Sequence, residues 1–102
     1  MTLNQYGLPT TLMGKMSAVF TRYPEIQKVT LFGSRVTGKF RTGSDIDLAI
    51  TTSQADTLSH LHHELDELNS PYLIDLVDES SITNPALIKH IQDVGVVIYQ
   101  AS

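Results

Sequence analysis

Residues 31–47 read LFGSRVTGKFRTGSDID. A short run rich in β-branched and aromatic residues, KVTLF (28–32), leads into Gly33, and an alternating run, DIDLAIT (45–51), follows the loop. Gly33, Gly38 and Lys39 form the skeleton G-x-x-x-x-G-K after a strand, which is how a phosphate-cradling P-loop opens. The next residue of a P-loop is Ser or Thr, to hold Mg²⁺, and here it is Phe40. A P-loop also runs into a long helix whose first amides meet the phosphates. Only five residues, Phe40 to Ser44, separate Lys39 from the acidic strand, leaving room for one or two helical turns after Gly33. The P-loop reading fails on both counts, and the acids downstream become the place to look.

Asp45 and Asp47 stand at i and i+2, so on a strand both point to one face, while Ile46, Leu48 and Ile50 point to the other. Two like charges held that close repel unless a cation intervenes. A third acid, Asp75, lies in LIDLV with apolar neighbours on both sides, which predicts a buried strand where a carboxylate needs pairing or a metal. If the second and third strands are neighbours, Asp75 comes to lie beside the first pair. Three carboxylates with no Lys or Arg between residues 42 and 88 suit hard divalent cations such as Mg²⁺. Two such ions, ~3.5–4 Å apart, clamp the attacking and leaving oxygens of a phosphoryl-type displacement. A glycosidase pair fits less well, because that chemistry sets its carboxylates on opposite sides of the bond to be cut.

The loop before the acids takes a complementary role. Gly33 lets the backbone turn sharply and approach a ligand. Ser34 offers a hydroxyl and an amide for a terminal phosphate. Arg35, Lys39 and Arg41 are placed to neutralise a triphosphate, although a lone basic residue is by default a solvated surface charge. Ser44 reads first as a residue that orients the turn into Asp45.

The rest of the chain frames this loop. With 102 residues, 41% hydrophobic content and 18% charge, it reads as one domain (1–102) with an ordinary core. There is no cysteine for a disulfide or a thiolate metal site. No apolar run approaches membrane-spanning length, and the N-terminus lacks an export pattern, so a cytoplasmic location is expected. A net charge of −4 disfavours direct nucleic-acid binding. Helical spacing of Leu12, Met16, Val19, Phe20 and Tyr23 predicts a helix over 10–23, stopped by Pro24. Leu58, Leu61, Leu65 and Leu68 predict another over 54–69. A strand at 72–77 is followed by a helix begun at Asn84-Pro85 and ended at Gly95, with Leu87, Ile88, Ile91 and Val94 as its apolar face. VVIYQ (96–100) closes the chain as a fourth strand. The fold class is α/β, with helices covering a mixed sheet of about four strands. His60, His62 and His63 do not converge at i, i+4 on that second long helix; bonds of His60 to Glu64 and His62 to Asp66 are expected instead.

Gly33-Ser34, ten residues, then Asp45-Ile46-Asp47 is the G-S-x₁₀-D-x-D pattern, and with the LAI run and the later IDLV the chain resembles the DNA polymerase β-like nucleotidyltransferases. It looks like their minimal (MNT) type, which accompanies a HEPN-like helical partner in prokaryotic toxin–antitoxin modules. The resemblance implies transfer of a nucleoside monophosphate from ATP, with two Mg²⁺ ions held by Asp45, Asp47 and Asp75 as catalytic carboxylates. It implies that Gly33 and Ser34 hold the triphosphate, with Arg35, Lys39, Arg41 and Ser44 around it. Asp75 would also assist deprotonation of the acceptor, a tyrosine hydroxyl on the HEPN-like partner. Many members carry Arg-Gly where this chain has Thr37-Gly38, so Lys39 and Arg41 are the expected substitutes. Two other readings follow the same residues: an inert module that inhibits its helical partner by contact, and a nucleotide sensor without turnover.

Overall fold

A computed structural model describes residues 3–41 and 43–101. The helices are α1 (Thr10–Thr21), α2 (Ser34–Thr37), α3 (Thr57–Asp66) and α4 (Pro85–Val94). The strands are β1 (Ile26–Phe32), β2 (Ile46–Thr52), β3 (Ile74–Asp78) and β4 (Val96–Gln100). A 3-10 turn over Glu79–Ser81, which no periodicity announces, links β3 towards α4. The sheet order is β3-β2-β1-β4, with β1 antiparallel to both β2 and β4 and β2 parallel to β3. This is the expected small mixed sheet with helices packed on it.

The alternation in β2 divides the molecule. Ile46, Leu48 and Ile50 are fully buried and join Val29, Leu31 and Ile74 under Leu12, Met16, Val19 and Phe20 of α1 and Leu61 and Leu65 of α3. The opposite face carries Phe32 and Ala49, packed against Ile91 and Leu87 of α4. β1 therefore has side chains buried on both faces, as a central strand between two covered faces requires.

Local signals place α4 well. The Asn84 side chain accepts from the amides of Ala86 (2.9 Å) and Leu87 (3.4 Å), and Pro85 occupies the first turn. Val94 departs from its expected role and is 40% exposed, because the helix packs on the sheet through Leu87 and Ile91 and its last turn leaves the contact. On α3 the His62–Asp66 contact forms (3.4 Å), and His63 pairs with Glu67 (2.8 Å). The expected His60–Glu64 bond does not, since Glu64 takes the Tyr23 hydroxyl and the Arg22 guanidinium instead. Burial and the Glu64 bond push the Tyr23 phenol up to about 12. No helix among the described residues is long and apolar enough to cross a membrane.

Candidate nucleotidyl-transfer site

Parallel pairing of β2 with β3 sets Asp47 opposite Asp75, on the face shared with Ala49 and Val77. On its other side Asp47 is opposite Phe32 of β1. Asp45 lies in the loop residue just before β2 and is exposed. The structure thus brings two of the three predicted carboxylates side by side, with the third at the mouth of the same strand. Asp47 is half-buried, and its carboxyl is held above the ordinary range, first by burial and then by the charges of Asp75 and Asp45. Among the described residues no three His, Asp or Glu side chains are gathered around one point at ligand spacing.

Asp75 corrects one expectation. Apolar neighbours predicted burial, yet Asp75 is exposed. β3 is an edge strand whose inward face packs through Ile74 and the half-buried Leu76, while Asp75 opens to solvent beside Asp47. A carboxylate there is reachable by an incoming group, which a buried one is not.

The loop preceding β2 turns on Gly33. Its backbone stands at φ 84°, ψ −156°, a region open almost only to glycine. A Cβ on Gly33 would collide with Oδ2 of Asp47, so the bare backbone is what lets the turn lie against the carboxylate. The Gly33 carbonyl accepts from the amides of Val36 (3.2 Å) and Thr37 (3.3 Å), closing the single turn of α2, in which Ser34 is the first residue. Gly38, at φ 79° and ψ 8°, ends that turn in the left-handed region with open space around it. Gly38-Lys39 is therefore a helix stop, and the G-x-x-x-x-G-K match is coincidental.

The three basic residues separate. Lys39 and Arg41 are exposed at the rim of the loop. Arg35 is only 2% exposed and donates from Nη2 and Nε to the Ser44 carbonyl (2.6 and 3.2 Å) and from Nη1 to the carbonyls of Tyr6 (2.9 Å) and Gly7 (3.4 Å). Its guanidinium carbon lies 5.2 Å from the ring centre of Phe40 and 4.8 Å from that of Tyr72. The expected nucleotide contact of Arg35 is thus replaced by an anchoring one: its donors are spent on main-chain carbonyls and its faces on rings. Ser44 does orient the turn, since its hydroxyl accepts from the Arg41 amide at 2.8 Å while its carbonyl holds Arg35.

Sequence reasoning passed over His90. Its Nε2 accepts from the Gly33 amide at 3.0 Å, and its ring meets Phe32 edge-on, with centroids 6.2 Å apart. One histidine on an amphipathic helix, 57 positions from its partner, carries no local signal. Only the packing of α4 behind β1 reveals the contact.

The donor set suits hard cations: oxygen ligands only, in a neighbouring pair set by strand register, with Asp47 raised first by burial and then by its acidic neighbours. No curated protein matches the chain significantly. Among solved structures it is similar to a chain of a toxin–antitoxin crystallised with AMP-PNP, at 25% identity and TM-score 0.67, over 88% of this chain and 74% of that one. It is also similar in fold to a chain of the toxin–antitoxin MntA–HepT (21% identity, TM-score 0.65, 91% and 74% of the two chains). A third similar fold comes from a tri-AMPylated Shewanella oneidensis HEPN toxin in complex with MNT antitoxin (23% identity, TM-score 0.62, 90% and 72%). The family model described as polymerase beta, nucleotidyltransferase matches residues 14–102, from the middle of α1 through the Gly33–Ser34 turn and both strand carboxylates to the last strand. The chain belongs to the polymerase β nucleotidyltransferase family.

Proposed function

We propose that this protein transfers AMP from ATP to a tyrosine hydroxyl of a HEPN-like helical partner, in the cytoplasm, and so acts as the antitoxin of the pair. The observation that carries the chemistry is the Asp47–Asp75 neighbour pair set against the Gly33–Ser34 turn. The partner assignment rests on similarity to the toxin–antitoxin with AMP-PNP and to the complex with a tri-AMPylated HEPN toxin.

In this reading Ser34 binds the triphosphate through its hydroxyl and amide, and Lys39 and Arg41 balance its charge from the loop rim. Asp45, Asp47 and Asp75 are the residues that would hold Mg²⁺, which would supply positive charge against the phosphates. The acceptor oxygen attacks the α-phosphorus, the bond from that phosphorus to the bridging oxygen breaks, and pyrophosphate leaves with the electron pair. The hydroxyl proton passes to a carboxylate oxygen of Asp75, whose exposure leaves it open to the acceptor. Exposure of Asp45 and Asp75 also leaves the acceptor side unroofed, so the partner itself supplies that wall of the site.

The decisive experiment mixes the chain with its helical partner, Mg²⁺ and α-labelled ATP and follows label on the partner. Label appears with wild type and disappears with Asp47→Asn and with a partner whose candidate tyrosine is Phe. Absence of transfer by wild type, with partner inhibition kept by Asp47→Ala, sinks the enzymatic reading in favour of inhibition by contact. Binding of Mg·ATP without pyrophosphate release in the presence of partner identifies a sensor instead.

A further inference from the structure

We propose that His90 is a positioning residue for the Gly33–Ser34 turn, and that it commits the Gly33 amide before any nucleotide arrives. The proposal rests on the nucleotidyl-transfer reading for its consequence but not for its geometry. β1 ends at Phe32, the last residue paired with β2, so the Gly33 N–H lies beyond the strand pairs. A half-buried amide without an acceptor is unfavourable, and His90 Nε2 provides the acceptor at 3.0 Å. Accepting at Nε2 assigns the neutral ring with its proton on Nδ1.

Packing alone does not account for this residue. Any flat apolar side chain on α4 would cover Phe32, against which the imidazole stands at 76°. What a Phe or Leu lacks is an acceptor. The consequence for the site is specific. The turn in contact with Asp47 is held from behind by a helix with its own side-chain cap at Asn84, so carboxylate and turn keep their relation when the site is empty. With the Gly33 N–H taken, a phosphate at this turn is met by the Ser34 amide and hydroxyl. The Gly33 backbone gives close approach and no hydrogen bond.

Three variants separate acceptor from packing: His90→Phe keeps the ring, His90→Gln keeps an acceptor at similar reach, and His90→Ala removes both. Amide exchange at Gly33, followed by nuclear magnetic resonance in the nucleotide-free protein, reads the contact directly. Exchange accelerates by at least about tenfold in the Phe and Ala variants and stays within about twofold in Gln. Affinity for Mg·AMP-PNP by calorimetry weakens about tenfold in Phe and recovers in Gln. In the transfer assay the loss falls on KM for ATP more than on kcat, with melting temperature compared in parallel. Wild-type exchange and affinity in the Phe variant, or a Gln variant as impaired as Phe, overturns the proposal. Should wild type bind no Mg·AMP-PNP, the proposed function falls by itself. Gly33 exchange then still decides on His90: faster in Phe than in Gln upholds the contact, and equal rates end it.

Discussion

Arg35 offers the sharpest test, because sequence and structure assign it different work. Read in the loop, it is a phosphate ligand; in the fold, it is 2% exposed and bound to three main-chain carbonyls. The two shortest contacts, 2.6 Å to Ser44 and 2.9 Å to Tyr6, are hydrogen bonds from a charged donor, each contributing about 1.5–3 kcal/mol. Stacking on Phe40 and Tyr72 adds about 0.5–2 kcal/mol for each ring. Water entering the vacated space restores part of this, so Arg35→Ala should cost about 3–5 kcal/mol, a large share of a small domain's stability. Arg35→Lys keeps the charge and one carbonyl but neither the fork nor the stacking, and should cost about 2 kcal/mol. In a chain of 102 residues that lowers the melting temperature by about 8–16 °C. Thermal denaturation by circular dichroism measures the shift, and calorimetry with Mg·AMP-PNP measures affinity on the folded Lys variant. A melting temperature held within about 2 °C of wild type, together with an affinity loss beyond about tenfold, would refute the anchoring role and restore the phosphate ligand.

Two glycines of the same loop should behave oppositely: Gly33→Ala, strained and colliding with Asp47, costs about 2–3 kcal/mol in urea denaturation and abolishes transfer, whereas Gly38→Ala costs about 1–2 kcal/mol and leaves transfer intact. A Gly38→Ala variant without activity would revive the P-loop reading. For Asp47, the folded state binds its proton more tightly than the unfolded chain does, so the stability this group grants is present at low pH and lost as pH rises through its raised value. Asp47→Asn should therefore melt higher than wild type at pH 7 without divalent cations, with the gap closing as pH falls below the ordinary carboxylate value of about 3.9. An unchanged gap across that range would show that repulsion with Asp75 and burial are not what raises the group. Asn84→Ala removes the cap of α4 and should cost about 1 kcal/mol by thermal melting.

What was legible in the sequence was whatever a short window encodes. The alternation in β2, the leucine seam of α3 and the Asn84-Pro85 start of α4 each report a period or a cap, and each element forms, although α3 runs over Thr57–Asp66 and is shorter than the expected 54–69. The neighbour relation of Asp47 and Asp75 followed from assuming adjacent strands, and parallel register supplies it. The burial of Asp75 was misjudged because apolar neighbours along a chain say nothing about whether a strand is central or an edge. His90 was invisible for a related reason: its acceptor role exists only once α4 crosses behind β1. Charge was the least legible feature, since a window shows that Arg35, Lys39 and Arg41 are basic but not which of them faces inward.

That last ambiguity resolves through the residue that first broke the P-loop pattern. Phe40 packs on Gly7 and on one face of the Arg35 guanidinium, while Tyr72, two residues before β3, covers another part of it. The carbonyls that Arg35 grips belong to the N-terminal turn at Tyr6 and Gly7 and to Ser44, the residue next to Asp45. Around one buried cation, four stretches meet: the N-terminal turn, the Gly33–Ser34 turn, the entry to β2 and the approach to β3. Two of these stretches carry the Gly33–Ser34 turn and the residues leading into Asp45 and Asp47. A Ser or Thr at position 40 would uncover the part of the Arg35 guanidinium that Phe40 covers. The aromatic residue is thus what this architecture requires at that position, because here the cation inside the loop is an arginine and its work is to keep Gly33–Ser34 in reach of Asp45 and Asp47.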